Sequence, residues 1–418
     1  MEPPIFKMAA PYEEKRLSMW LCFSGFLDLF GVSMIIPLLS RHAKHMGASP
    51  ALMGALASVY GGLQLFSSPL IGSWGDVWGK RPMLLLCLLL TTVSYTLLGL
   101  APTLTLAILV RILAGIFKHS QTLSKAYLAD IVPKAKHSEV FGRFSAFSSM
   151  GFIVGPVVGG HLMVAEGGFL LVCLAGSALF FINLCIVWYA LPHIDTGKKN
   201  DDNKKNAAAS FDFLNFFSSM KKALFSDMWD LFLVKFLLTF SVLLYRTNLG
   251  LVLEQRFDIT PKEIGYLISY SGIVGTASGF GVGKVADFYR DDSKVMIHFT
   301  VLLVAAILGM TFTPYIWLYV VCQTVMSFSN ANLRVASTNI AIERGRNKET
   351  GVLMGLNQSV ISMGRIGAPL LGGLVQEVHL VGAGLVGALF ALLACAIMVV
   401  VPPERSDSQA VGKEKKEL

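Results

Sequence analysis

Gly72-Ser73-Trp74-Gly75-Asp76-Val77-Trp78-Gly79-Lys80-Arg81-Pro82 is a short polar stretch between two apolar runs. Each of those runs is long enough to cross a bilayer, which takes about 20 residues of helix. The glycines allow a tight turn that side chains would resist. Asp76 can cap the helix that follows or pair with a cation. Lys80 and Arg81 fall at headgroup depth and favour the cytoplasmic side. A second copy lies further on, at Gly283, Lys284, Val285, Ala286 and Asp287, with Arg290 beyond. Gly72 and Asp76 keep the spacing of Gly283 and Asp287. A duplicated loop between spans implies two related halves.

The rest of the chain agrees with a membrane reading. Of 418 residues, 54% are hydrophobic and 15% charged, against about 25% charged in soluble proteins. Twelve runs qualify as spans: 19–39, 51–72, 82–101, 103–131, 139–163, 167–191, 228–253, 261–283, 294–313, 315–341, 350–376 and 379–401. None alternates as a transmembrane strand would. The expected class is all-α, with a tail at 1–18, a first six-helix bundle at 19–191, a linker at 192–227, a second bundle at 228–401 and a tail from 402. The linker opens with the charged run Asp195 to Lys205 and continues with Phe211, Phe213, Phe216 and Phe217 among polar residues. That pattern suits an amphipathic helix on the inner surface. Only Arg41, Lys44, Arg256 and Lys262 fall in the outer segments, so both termini are expected in the cytoplasm. The net charge of +8 then belongs to the inner surface and to anionic lipid, and calls for no nucleic acid. All six cysteines lie in spans, and no disulfide framework is visible.

Span one carries Asp28 near its middle and ends near Pro37. A carboxylate at mid-bilayer is costly and therefore a candidate for function. Span four places Arg111, Gly115, Lys118, Thr122 and Lys125 along one helical face. Three cations on a stripe should line a wet cavity and not lipid. His119 beside them reads as a packed imidazole. Lys235 in span seven can snorkel to the headgroups, while Arg246 lies deeper and Arg365 sits near the middle of span eleven. No cluster has metal-ligand spacing, no cofactor motif is present, and no nucleophile–base pair or phosphate loop suggests an enzyme.

Span five reads Gly151, Phe152, Ile153, Val154, Gly155, Pro156, Val157, Val158, Gly159, Gly160. The same pattern returns 213 residues later as Gly364, Arg365, Ile366, Gly367, Ala368, Pro369, Leu370, Leu371, Gly372, Gly373. Ser149 and Met150, Gly142 and Asp130 recur at that offset as Ser362 and Met363, Gly355 and Glu343. Such glycines permit backbone contact between helices, and the prolines permit bending.

With these motifs assembled, the chain resembles the major facilitator superfamily over nearly its whole length. Gly72, Asp76, Gly79, Lys80 and Arg81 are similar to that family's loop signature, with Val77 where a basic residue is usual. Arg111 with Gly115 resembles its helix-four signature, and 151–160 its helix-five signature in drug:proton antiporters. Asp28 followed by Pro37 is similar to the tetracycline-exporter branch. The resemblance implies two six-helix bundles around a central cavity and alternating access, and leaves the substrate open. The expected partners are a small solute and protons, with the monomer as the functional unit. Asp28, Arg111, Lys118, Arg246 and Arg365 are then expected to serve solute and proton, with Asp28 and Lys118 paired across a watery chamber. Gly72, Asp76, Gly79, Lys80, Arg81 and Asp287 are expected to gate. Gly151, Gly155, Pro156, Gly159, Gly160, Pro369, Gly372 and Gly373 are expected to pack and hinge. The cationic excess points to an anionic or zwitterionic organic solute. An uncoupled facilitator and a non-transporting receptor or scaffold share the same pattern. Plasma membrane and endomembrane are equally open.

Overall fold

A chain in hydrocarbon must satisfy its backbone internally, and these apolar runs do so as helices. The computed structural model describes residues 11–133, 136–192, 228–344 and 350–401. The predicted linker helix and the tail from 402 lie outside the described residues. The described residues form fourteen α-helices. In order these are α1 (Pro11–His45), α2 (Pro50–Trp78), α3 (Lys80–Leu100), α4 (Leu104–Phe117), α5 (Ser120–Ile131), α6 (His137–Val164) and α7 (Gly168–Ala190). Then follow α8 (Trp229–Arg246), α9 (Leu249–Phe257), α10 (Pro261–Tyr289), α11 (Asp292–Phe312), α12 (Ile316–Arg344), α13 (Thr350–Val378) and α14 (Gly382–Val400). Seven spans are strongly apolar, with α4 and α5 together forming one of them. The bent pair α8–α9 makes an eighth. The helices α2, α10, α12 and α13 have 29 residues each. They are long enough to cross, but carry polar residues such as Gln64, Tyr270, Asn332 and Arg365.

Several sequence boundaries shift. The helix of span one begins at Pro11, within the expected tail, and continues through Pro37 to His45. Helices also run through Pro156 and Pro369. The stretch 72–82 is mostly helical, because α2 extends to Trp78 and α3 starts at Lys80. Gly79 alone makes the turn, at φ 100°, a conformation that favours glycine. Gly72 stays helical, and Asp76 is part of α2 and does not cap α3. Elsewhere caps follow the expected chemistry. Ser49 accepts from the Leu52 amide and Thr103 from the Leu106 amide. Asp291 accepts from the amides of Ser293 and Lys294 at 2.9 and 3.1 Å. Spans four and seven are each interrupted, at Lys118–His119 and at Thr247–Asn248, the second with a 50° bend.

The described chain divides by contacts into two units. In the first, α1 packs against α6 and α7, and α3 against α7. Leu21, Met34, Ile35, Leu84, Leu88, Tyr95, Phe144 and Phe180 form its apolar core. A side chain at Gly151 would collide with the Phe26 carbonyl, at Gly155 with Ser33 and Phe30, and at Gly159 with the Met34 carbonyl. Glycine every fourth residue thus lets two backbones touch. The Ser33 hydroxyl uses that closeness to donate to the Gly151 carbonyl at 3.3 Å.

The first unit also includes residues 250–272, which the sequence assigned to the second bundle. A side chain at Gly160 would come within 2.6 Å of the Pro261 carbonyl, and one at Gly265 would collide with that of Pro156. Ser269 donates to the Ile153 carbonyl at 2.5 Å, and Arg41 pairs with Glu254 at 3.3 Å.

In the second unit α8 packs against α13 and α14, and α11 against α12 and α14. Its α8–α13 seam repeats the α1–α6 seam at the 213-residue offset. Gly364 faces Thr239 and Leu243, and Gly372 faces Thr247, where Gly151 and Gly159 face Phe26 and Met34. Arg344 Nη1 donates to both oxygens of Asp230 at 3.0 and 2.9 Å, in a buried pair joining the start of α8 to the end of α12.

Candidate functional site

Span four breaks without proline or glycine at the break itself. Lys118 (φ −79°, ψ 67°) and His119 (φ −118°, ψ 14°) leave the helical region between α4 and α5. A break inside a membrane strands backbone groups that must find partners. The Lys118 carbonyl accepts from Gln64 Nε2 at 3.0 Å, and the Lys118 amide still reaches the Ala114 carbonyl at 3.0 Å. His119 is buried and its Nε2 shares a 2.7 Å hydrogen bond with Ser67 Oγ.

The interruption turns the Lys118 ammonium onto the Asp28 carboxylate of α1. Ser120 completes a triangle: it accepts from Lys118 at 2.9 Å and donates to Asp28 Oδ1 at 2.5 Å. Gln121 Nε2 donates to Asp28 Oδ2 at 3.1 Å and to the Gly25 carbonyl at 3.0 Å. Gln121 Oε1 in turn accepts from Ser148 of α6 at 3.2 Å. The first turn of α5 also points its positive dipole end at this acid. Lys118 lies 4.8 Å from the ring centre of Phe180, which stacks on Tyr95. The result is a connected polar network inside apolar walls, where every member depends on the others.

The pair is not in an open chamber. Asp28 is 1% exposed and Lys118 8%, so both are enclosed within the first unit. The expected wet stripe of span four also divides. The break rotates α5 relative to α4, leaving Thr122 and Lys125 exposed while Arg111 and Lys118 are buried. Arg111 lies over the Tyr60 ring at 4.3 Å, and a side chain at Gly115 would stand only 3.3 Å from Tyr60 and Leu63. A cation over an aromatic face is stabilised without a carboxylate. One terminal nitrogen of Arg111, Nη1, is buried without an acceptor among the described residues. Lys235 does not snorkel; it is buried and donates to Thr338 at 3.3 Å.

The loop residues separate in the same way. Lys80 bridges Asp130 at 2.6 Å and Asp76 at 3.8 Å, and donates to the Ala126 carbonyl at 3.3 Å. The Asp76 side chain is 72% exposed. Arg81 donates to the Trp188 carbonyl at 2.5 Å. In the second unit Asp287, Arg246 and Arg365 are exposed, and Gly372 and Gly373 are buried. Arg246 neighbours Tyr245 and Tyr319, whose hydroxyls lie 3.3 Å apart.

Sequence reading missed Gln64, Ser67, Ser120, Gln121 and Ser148. The run His119-Ser120-Gln121-Thr122, four polar residues inside a span, carried the signal for part of this shell. The Asp230–Arg344 pair gave no such signal, because its partners stand 114 residues apart.

Comparison with known proteins agrees with the helical fold. The family model described as Major Facilitator Superfamily matches residues 21–291 and 231–418. Multidrug resistance protein 2 of Bacillus subtilis is 25% identical over 403 residues, covering 96% of this chain and 98% of its own. Quinolone resistance protein NorA of Staphylococcus aureus is 25% identical over 393 residues, covering 89% and 95%. The solved nucleoside transporter NupG aligns with TM-score 0.73 at 16% identity, over 92% of this chain and 99% of that one. The human organic anion transporter MFSD10 (TETRAN) aligns with TM-score 0.64 at 19% identity, over 95% and 100%. With the family model spanning both halves, the chain belongs to the Major Facilitator Superfamily and is a multi-pass secondary membrane transporter.

Proposed function

We propose that this transporter moves a small anionic or zwitterionic organic solute by alternating access, coupled to protons through Asp28. The buried Asp28–Lys118 pair at the interruption of span four carries the reading. Protonation of Asp28 removes the attraction that holds Lys118, leaving an unpaired buried cation. An unpaired buried charge is strongly unfavourable, so the α4–α5 break must rearrange or admit a compensating anion. A break already lacks part of its backbone ladder and yields more easily than continuous helix. Proton and solute bias the conformational equilibrium only through different affinities for its two states.

Arg246 and Arg365 support the charge preference. Both are exposed within spanning helices, and neither forms an ion pair among the described residues. Bare arginine facing lipid is costly, so each is better placed on a wet path where it meets an anion. The names of the relatives, multidrug and quinolone resistance proteins and an organic anion transporter, fit a small organic solute. The Lys/Arg distribution supports cytoplasmic termini, and the protein works as a monomer. A gating role for Lys80, Asp76 and Asp287 belongs to the same proposal.

An uncoupled facilitator is the second reading. Asp28 is fully satisfied by Lys118, Ser120 and Gln121, as expected of a fixed strut. Purified protein in sealed liposomes separates the two. Coupling requires that an imposed pH gradient drive solute accumulation and that Asp28→Asn abolish it. Accumulation unchanged in Asp28→Asn removes the proton role, and uptake that ignores a pH step establishes the facilitator.

A further inference from the structure

A groove of about 480 Å³ runs between the first half of α3 and the end of α7. Leu85, Leu86 and Leu89 form one wall, and Leu184, Cys185 and Trp188 the other. Arg81 stands at its mouth, one helical turn before Leu85. Its guanidinium reaches the Trp188 carbonyl and lies 5.8 Å from that indole. Lys80 directs its charge to Asp130 and Asp76. Among the described residues no carboxylate pairs with Arg81, and its Nε is buried without an acceptor. The first turn of α3 has no side-chain cap, so its amide dipoles add to the positive field.

The surrounding surface belongs in lipid. Leu89, Val93 and Leu97 on α3 and Phe181 and Ile182 on α7 are exposed and uniformly apolar. Trp188 and Tyr189 end that face as an interfacial aromatic pair. From Arg81 to Leu89 the groove rises about 12 Å along the helix. One leaflet of hydrocarbon is about 15 Å deep, half of a roughly 30 Å core. The groove therefore has the depth of one leaflet, with the spare cation at headgroup level.

We propose that this groove is a binding site for one anionic phospholipid, its phosphate on Arg81 and an acyl chain along Leu85, Leu89 and Leu184. With the topology proposed above, the lipid comes from the cytoplasmic leaflet, where anionic headgroups attract juxtamembrane cations. Occupancy sits one residue from Lys80, so the site couples membrane composition to the α2–α3 turn.

Native mass spectrometry of the purified full chain, titrated with phosphatidylglycerol or phosphatidylcholine, tests the site without any transport measurement. Wild type should retain phosphatidylglycerol about five-fold better than phosphatidylcholine, the preference expected of one interfacial arginine. Arg81→Gln should bring the two lipids to parity. Leu89→Trp, which fills the groove with Arg81 intact, should lower retention of both, and inorganic phosphate should displace neither. Equal retention of the two lipids by wild type, or undiminished phosphatidylglycerol retention by Leu89→Trp, overturns the proposal.

Discussion

The Asp28 carboxylate meets the Lys118 ammonium where the helix of span four is interrupted, and the same interruption places Ser120 between them. The pair therefore depends on broken secondary structure. A continuous helix through Lys118 would carry Ser120 and Gln121 away from the acid.

The energetics of that pair can be measured by a double-mutant cycle. Removing one partner of a buried ion pair costs about 3–5 kcal/mol, while replacing both can be neutral. Asp28→Asn and Lys118→Met should each lower the thermal unfolding temperature in detergent. The combined variant should recover much of the loss and yet remain unable to couple transport to protons. A double variant as unstable as the singles would show that the two side chains do not act as a unit.

The α1–α6 seam makes a prediction with an internal control. Gly155→Ala drives a methyl into Ser33 and the Phe30 carbonyl, whereas Gly142 on the same helix faces open space. Overpacking typically costs about 1–3 kcal/mol. Gly142→Ala should be neutral or slightly stabilising, because alanine is the better helix former. Folded yield and unfolding temperature, compared side by side, check both.

Asp130 and Asp76 should differ although both face Lys80. The 2.6 Å contact to Asp130 is partly sheltered, and the 3.8 Å contact to Asp76 is largely in solvent. Exposed pairs contribute about 0–1 kcal/mol. Asp130→Asn should thus lower thermal stability more than Asp76→Asn. A large loss of solute flux in Asp76→Asn with unchanged stability would mark it as a gating residue.

Arg344→Met should destabilise the second unit by about 3–5 kcal/mol, since it strands Asp230 in a buried position. Asp230→Leu combined with Arg344→Met should restore much of that loss. Both are read from unfolding curves in detergent.

The sequence made the spans legible because apolar length and glycine repeats are local signals. It made Asp28 and Lys118 legible as candidates, since charge inside an apolar run is conspicuous. The break between them was hidden. No glycine or proline marks it, and tertiary partners on α1 and α2 hold it in place: Asp28 takes the Lys118 side chain and Gln64 the Lys118 carbonyl. The enclosure of the site was hidden for a similar reason. A polar stripe on a helix says that water or partners must face it, and here buried hydroxyl and amide groups from three helices take water's place.

The two α-helical seams, Gly151 to Gly159 against α1 and Gly364 to Gly372 against α8, match at both ends, with Ala368 at the place of Gly155 between them. Carried across the same offset, however, Asp28 becomes Ser241, Lys118 becomes Ala331 and Gln121 becomes Arg334. Ser241 only ties α8 to the Gly387 carbonyl at 2.7 Å. The repeat thus fixes where the helices touch and leaves the charges to each half: the first buries Asp28 with Lys118, the second Asp230 with Arg344, and neither pair has a counterpart at the 213-residue offset.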